Sequence, residues 1–163
     1  MSKKALKKYV KELSKEQLEE QILELYTRLK EVRDFYNFVF NPNENKRVEE
    51  CKFKIQKEYF PLTRRKPKKR RSVAQKCIKS FIKLGMEPLF IADIMLFNIE
   101  TAVRYCGEHP IRQEAFYISI HRSYTEAQNY ISERGLIPDF YKRLENISTN
   151  IYEQDWFNKE AFN

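Results

Sequence analysis

Ser72-Val-Ala-Gln-Lys-Cys-Ile-Lys-Ser-Phe-Ile-Lys-Leu-Gly-Met-Glu-Pro88 carries the helix punctuation of this chain in its plainest form. Ser72 with Gln75 three residues later is the capping-box pattern that opens a helix. Val73, Ala74, Cys77, Ile78, Phe81 and Ile82 then recur in steps that place them on one helix face. Gly85 follows the run, and a glycine just past a helix end takes the left-handed conformation without steric cost. Pro88 suits the first turn of a following helix, where N–H groups have no intrahelical partner. The same punctuation returns at Gly107-Glu-His-Pro110 and Gly135-Leu-Ile-Pro138, so every glycine of the chain stands in a Gly-x-x-Pro junction. The intervals between junctions are unequal, which argues against a true repeat. The spacing predicts helices over 72–84, 88–106, 110–134 and 138 to about 150. An aromatic tail with Tyr152, Trp156 and Phe157 is expected to dock on the body.

Upstream, Leu6, Tyr9, Val10 and Leu13 recur at helical spacing, opposite a face of Lys4, Lys7, Lys8 and Lys11. Ser14 with Gln17 is a second capping box. The stripe Leu18, Ile22, Leu25, Leu29, Val32 and Tyr36 predicts one long helix with a buried face. Asn41-Pro-Asn43 forces a turn. A helix is then expected from about Glu44 to Tyr59, burying Val48, Cys51, Ile55 and Tyr59 and ended by Pro61. No strand pattern occurs. The expected fold is all-α, with about seven helices: a small N-terminal helical lobe over 1–60, a cationic connector over 61–72, and a C-terminal bundle or stacked helical hairpins over 73–163, forming one folded unit.

The connector carries the clearest functional hint. Arg64, Arg65, Lys66, Lys68, Lys69, Arg70 and Arg71 surround Pro67, and they account for nearly all of the net charge of +8. Residues 1–71 hold 21 basic and 11 acidic side chains, while 72–163 hold 10 and 12. A polyanion is therefore expected to meet the first half. Cations this dense can neutralise several phosphates, with Lys4, Lys7, Lys8 and Lys11 extending the patch if the two groups are neighbours. Tyr59 and Phe60 offer stacking faces for unpaired bases. No helix-turn-helix, zinc-finger or RNA-binding signature accompanies the cations, so binding would be sequence-independent. The alternative is a protein-interaction module or homo-oligomer whose basic loop docks an acidic surface.

Other chemistry is sparse. Cys106-x-x-His109 supplies two potential metal ligands where a structural zinc site needs four, so no metal or other cofactor is expected. Glu114 and His121 are seven residues apart and can share a helix face. Glu100 and Arg104 suit an ion pair one turn apart. Asp93 interrupts the apolar run Phe90–Phe97, either as the solvent edge of a nearly buried helix or as a buried carboxylate paired with a cation. Gly-rich phosphate loops, Gly-x-Ser-x-Gly and Glu-x-x-His are absent, and no enzyme is expected. The longest apolar run, Pro88–Ile99, is too short and too charged to span a bilayer, so no membrane partner is expected. The N-terminal Met-Ser-Lys-Lys lacks a secretory pattern, and three widely spaced cysteines are unlike a disulfide framework, which together predict a cytoplasmic protein.

Lys3-Lys-Ala-Leu-Lys-Lys-Tyr-Val-Lys-Glu-Leu-Ser-Lys-Glu-Gln17, Phe35-Tyr-Asn-Phe-Val-Phe-Asn-Pro42, the Arg64–Pro67 to Ser72–Gln75 junction and Gly85–Asn98 together resemble a family of small bacterial proteins described only as a domain of unknown function. The resemblance covers nearly the whole chain. It implies a bacterial cytoplasmic origin and brings over no catalytic or binding residue. The first two predicted helices also resemble a SAP-like hairpin, although Ser14-Lys-Glu-Gln17 stands where such a hairpin has a glycine-containing turn.

Overall fold

Two serines open the first helices of the computed structural model, which describes residues 2–162. Ser2 Oγ accepts the Ala5 N–H at 3.2 Å and starts α1 (Lys3–Glu12). Ser14 accepts the Gln17 N–H at 3.2 Å while Gln17 Oε1 accepts the Ser14 N–H at 2.9 Å, completing the capping box of α2 (Lys15–Arg28). There follow α3 (Lys30–Phe40), α4 (Glu44–Tyr59), α5 (Arg71–Leu84), α6 (Pro88–Glu108), α7 (Glu114–Glu133), α8 (Ile137–Glu153) and a closing 3-10 turn at Lys159–Phe162. The described residues contain no strand, so the fold is all-α, with eight α-helices against the seven or so expected.

The helices form two compact units, Met1–Asn43 and Glu44–Asn163. In the first, the expected long helix is two. Leu29 takes an extended conformation, φ −110° and ψ 117°, which ends α2 and begins α3. The Arg33 side chain donates to the Thr27 carbonyl at 3.0 Å and the Tyr26 carbonyl at 3.5 Å, satisfying oxygens that the break releases. The face expected to be buried is also largely open: Ile22, Leu25 and Leu29 are exposed, and among the described residues of this unit Phe38 is the buried one.

The second unit is built around α6, which packs against α4, α5, α7 and α8. Eleven α6 residues are buried, on all sides of the helix, with Ala92, Ile94, Leu96, Ile99 and Ala102 fully covered. Burial of each large aliphatic side chain contributes about 1.5–3 kcal/mol relative to exposure. The α4 stripe Val48, Cys51, Ile55 and Tyr59 is buried as the periodicity predicts. Because that stripe packs on α6 and α5, the division between units falls at Asn43, ahead of α4, and not at the connector.

Two junctions form as expected. Gly85 (φ 71°) and Gly135 (φ 68°) are left-handed, and Pro88 and Pro138 sit in the following first turns. Gly107 differs: it lies inside α6, where a Cβ would stand 3.1 Å from the Gln154 amide nitrogen. Pro110 consequently precedes a short irregular segment, and α7 starts only at Glu114. The aromatic tail docks through Trp156 and Phe162, both buried, with ring centroids 5.9 Å apart, while Phe157 stays exposed.

Candidate functional site

The connector between α4 and α5 is irregular, yet its downstream end is fastened. Arg70 grips Glu58 as a fork, Nη2 to Oε1 at 2.7 Å and Nε to Oε2 at 2.9 Å. Its backbone N–H also donates to Oε2 at 3.3 Å, and the Glu58 carbonyl accepts the Lys69 N–H at 2.9 Å. A bidentate, charge-assisted pair of this kind is among the stronger polar contacts a surface offers. The Arg70 guanidinium holds the Glu58 carboxyl below its ordinary value, with burial pushing the other way.

Arg71 turns to α7, donating to Ser123 Oγ at 2.7 Å and to Glu126 at 2.8 Å, and the Gln75 amide joins Glu126 at 3.0 Å. These contacts displace the expected capping box. The helix begins at Arg71, one residue before Ser72, and no side chain caps it. Lys69 is left-handed (φ 53°), with its ammonium 5.6 Å from the Tyr105 ring centroid.

Three of the seven cations thus hold the loop in place. Arg64, Arg65, Lys66 and Lys68 are exposed, and among the described residues no hydrogen bond or ion pair engages them. The stacking faces expected beside them are taken. Tyr59 is 1% exposed and packs near Tyr105. Half-buried Phe60 meets Tyr105 edge-on, with the Arg104 guanidinium 4.5 Å from its ring centroid. Lys4, Lys7, Lys8 and Lys11 are all exposed on α1. They form a group in the first unit, whereas the connector cations belong to the second.

The remaining polar candidates have structural partners. Asp93 is a paired carboxylate, 2.8 Å from Lys52 and 2.7 Å from Arg143. Glu100 takes Arg143 through two contacts of 2.7 and 2.8 Å, in place of the expected pair with Arg104. Cys106 is buried, its thiol pushed up to about 12 by burial, and His109 stacks on Tyr105 at 4.8 Å. His121 Nε2 lies 3.0 Å from the Ala161 carbonyl oxygen, fixing the tail. Among the described residues no three His, Cys, Asp or Glu side chains gather as a metal site. No helix among them is long and apolar enough to cross a membrane.

One feature escapes a reading by motif. A groove of about 390 Å³ runs between α4 and α5, lined by Cys51 and Cys77 together with Arg47, Lys54 and Lys76. Its signal in the sequence was indirect: each cysteine lies on the apolar stripe of a predicted helix, and the connector joins those two helices.

A family model described as "Family of unknown function (DUF6155)" matches residues 1–163. No curated protein matches the chain, and no solved structure does.

Proposed function

The chain belongs to this family over its whole length, and from its own residues we propose a non-enzymatic helical protein that binds nucleic acid through the solvent face of the cationic connector. The observation that supports this is the division of labour within the loop. Lys69, Arg70 and Arg71 anchor it, and Arg64, Arg65, Lys66 and Lys68 are left exposed and outside its ion pairs, Lys68 adding only its charge to the field that lowers Glu58. A loop already held at one end loses less freedom on binding than an untethered tail would. With Tyr59 and Phe60 occupied, recognition rests on phosphates, and single strands have no stacking advantage over duplex.

Fluorescence anisotropy with labelled duplex and single-stranded DNA and RNA, over a salt series, tests this. Four phosphate contacts give a log–log salt slope of about −3.6 on duplex DNA, whereas seven would give about −6. Gln at Arg64, Arg65, Lys66 and Lys68 should abolish binding. Gln at Lys4, Lys7, Lys8 and Lys11 reads out whether α1 adds contacts. Competition by heparin equal to that by DNA would broaden the target to polyanions in general. No binding by the intact protein at moderate salt would overturn the proposal.

A second reading has its own observation. Leu23, Phe35, Val39 and Phe40 of the first unit are exposed, Phe40 at 82%. Large apolar side chains left this open on a small helical unit are the kind that interaction sites use, so a protein partner or a second copy is the alternative. Sedimentation over a concentration series, with and without Leu23→Gln and Phe40→Gln, distinguishes self-association from a monomer.

A further inference from the structure

On α4, Arg47, Cys51 and Lys54 follow one another at steps of four and three residues, and on α5 Val73, Cys77 and Ser80 do the same. Both triplets line one groove, so the two cysteines stand opposite each other at the middle of facing stripes. Cys51 is buried, whereas Cys77 is half-buried at the groove wall. We propose that Cys51 and Cys77 are a redox-active dithiol, which exchanges with small disulfides bearing negative charge through the groove between α4 and α5.

The groove supplies the specificity. Arg47, Lys54 and Lys76 outnumber its single acid, Glu50, so a carboxylate-bearing disulfide is drawn in. The roles follow from exposure. Cys77 is the attacking sulfur: the hydrogen bond from Cys51 lowers its thiol to about 7, against the opposing effect of burial and with help from Lys54. Cys51, raised by the same hydrogen bond and by burial, keeps its proton and acts second. The Cys77 thiolate attacks one sulfur of R–S–S–R, forming a Cys77–S–S–R bond and releasing R–S⁻. Cys51 yields its proton to that thiolate, attacks the Cys77 sulfur and expels the second R–S⁻, which takes up the proton that Cys77 had given to water. Two protein thiols are oxidised to one disulfide, and one small disulfide is reduced to two thiols. Cys106 lies outside this groove and serves as an internal control.

The test uses the reduced full chain with glutathione disulfide at neutral pH, followed by intact mass and peptide mapping. The expected product is lighter by two hydrogen atoms, links Cys51 to Cys77, leaves Cys106 free, and reverts with dithiothreitol. Cys51→Ser should stop at a single glutathionyl adduct on Cys77. Should that variant fail to fold, iodoacetamide labelling of the native chain decides the question. Cys77 should react at least about fivefold faster than either other cysteine, its gain in thiolate fraction exceeding its loss of nucleophilicity. Lys76→Gln, which removes a groove cation that has no part in lowering the Cys77 thiol, should slow reaction with glutathione disulfide about twofold while leaving that with uncharged hydroxyethyl disulfide unchanged. Equal labelling of all three cysteines, first modification of Cys106, or thiols still reduced after a model dithiol is fully oxidised would each overturn the proposal.

Discussion

Arg143 reaches two carboxylates at once, Glu100 through Nε and Nη2 and Asp93 through Nη1, and Asp93 is shared with Lys52. These side chains are only partly covered, 24–34% exposed, so the network's worth lies in its geometry more than in bare Coulomb attraction. Replacing Arg143 by Met leaves the Glu100 carboxylate without its cation and Asp93 with Lys52 alone. We expect a loss of about 1–3 kcal/mol in urea denaturation. Arg143→Lys should restore little of it, because one ammonium cannot reach both acids. The sequence made Asp93 conspicuous as a charge within an apolar run. It could not name the partner, fifty residues away on α8, because periodicity orients a side chain toward a neighbour without saying which helix that neighbour is.

At the scale of elements, the connector and its two helices give a pH dependence with a defined sign. Glu58 titrates below its ordinary value of 4.5 in the folded protein because of Arg70. A carboxyl with a depressed folded pKa contributes stability that is present above the unfolded value and lost as pH falls through the folded one. Wild type should therefore exceed Glu58→Gln in stability near neutrality. The gap measured by denaturant titration should close as the pH drops below the ordinary carboxylate range. The glycines make a contrasting pair. Gly85→Ala meets no atom within 4 Å but must hold a left-handed backbone, at a cost of about 1 kcal/mol. Gly107→Ala gains helix propensity yet crowds Gln154, which donates to the Val103 carbonyl at 3.2 Å and accepts from the Trp156 indole at 3.0 Å. Only the second should alter Trp156 fluorescence in the folded state. The bounds of α4 were legible because turn residues flank it. The break at Leu29 was not, since no glycine or proline marks it and a side chain four residues on satisfies the freed carbonyls.

Over the whole molecule, covered surface is distributed unequally. Helices α1 and α2 contain no buried residue, whereas α6 contains eleven. Hydrogen exchange should follow this: α1 and α2 amides exchanging close to the fraying limit, and the α6 interior exchanging slowest, near global unfolding. Comparable protection of α2 and α6 would show that something covers the first unit in solution. Composition made residues 61–72 look like the boundary between lobes, since that is where charge concentrates. Packing places the boundary before α4, because Cys51, Ile55 and Tyr59 need α6 to cover them. Charge patterning and core membership are separate properties of a chain, and only the first is visible in composition.

The position of α6 also sets an order of events during synthesis. Its partners α4 and α5 leave the ribosome before it, and their apolar stripes have no cover until Pro88–Glu108 has followed. For that interval the nascent chain displays two sticky helices joined by a densely cationic loop, and like charge repels neighbouring nascent chains of the same kind. The loop that we propose meets nucleic acid in the finished protein would thus be a solubilising gatekeeper for the unfinished one.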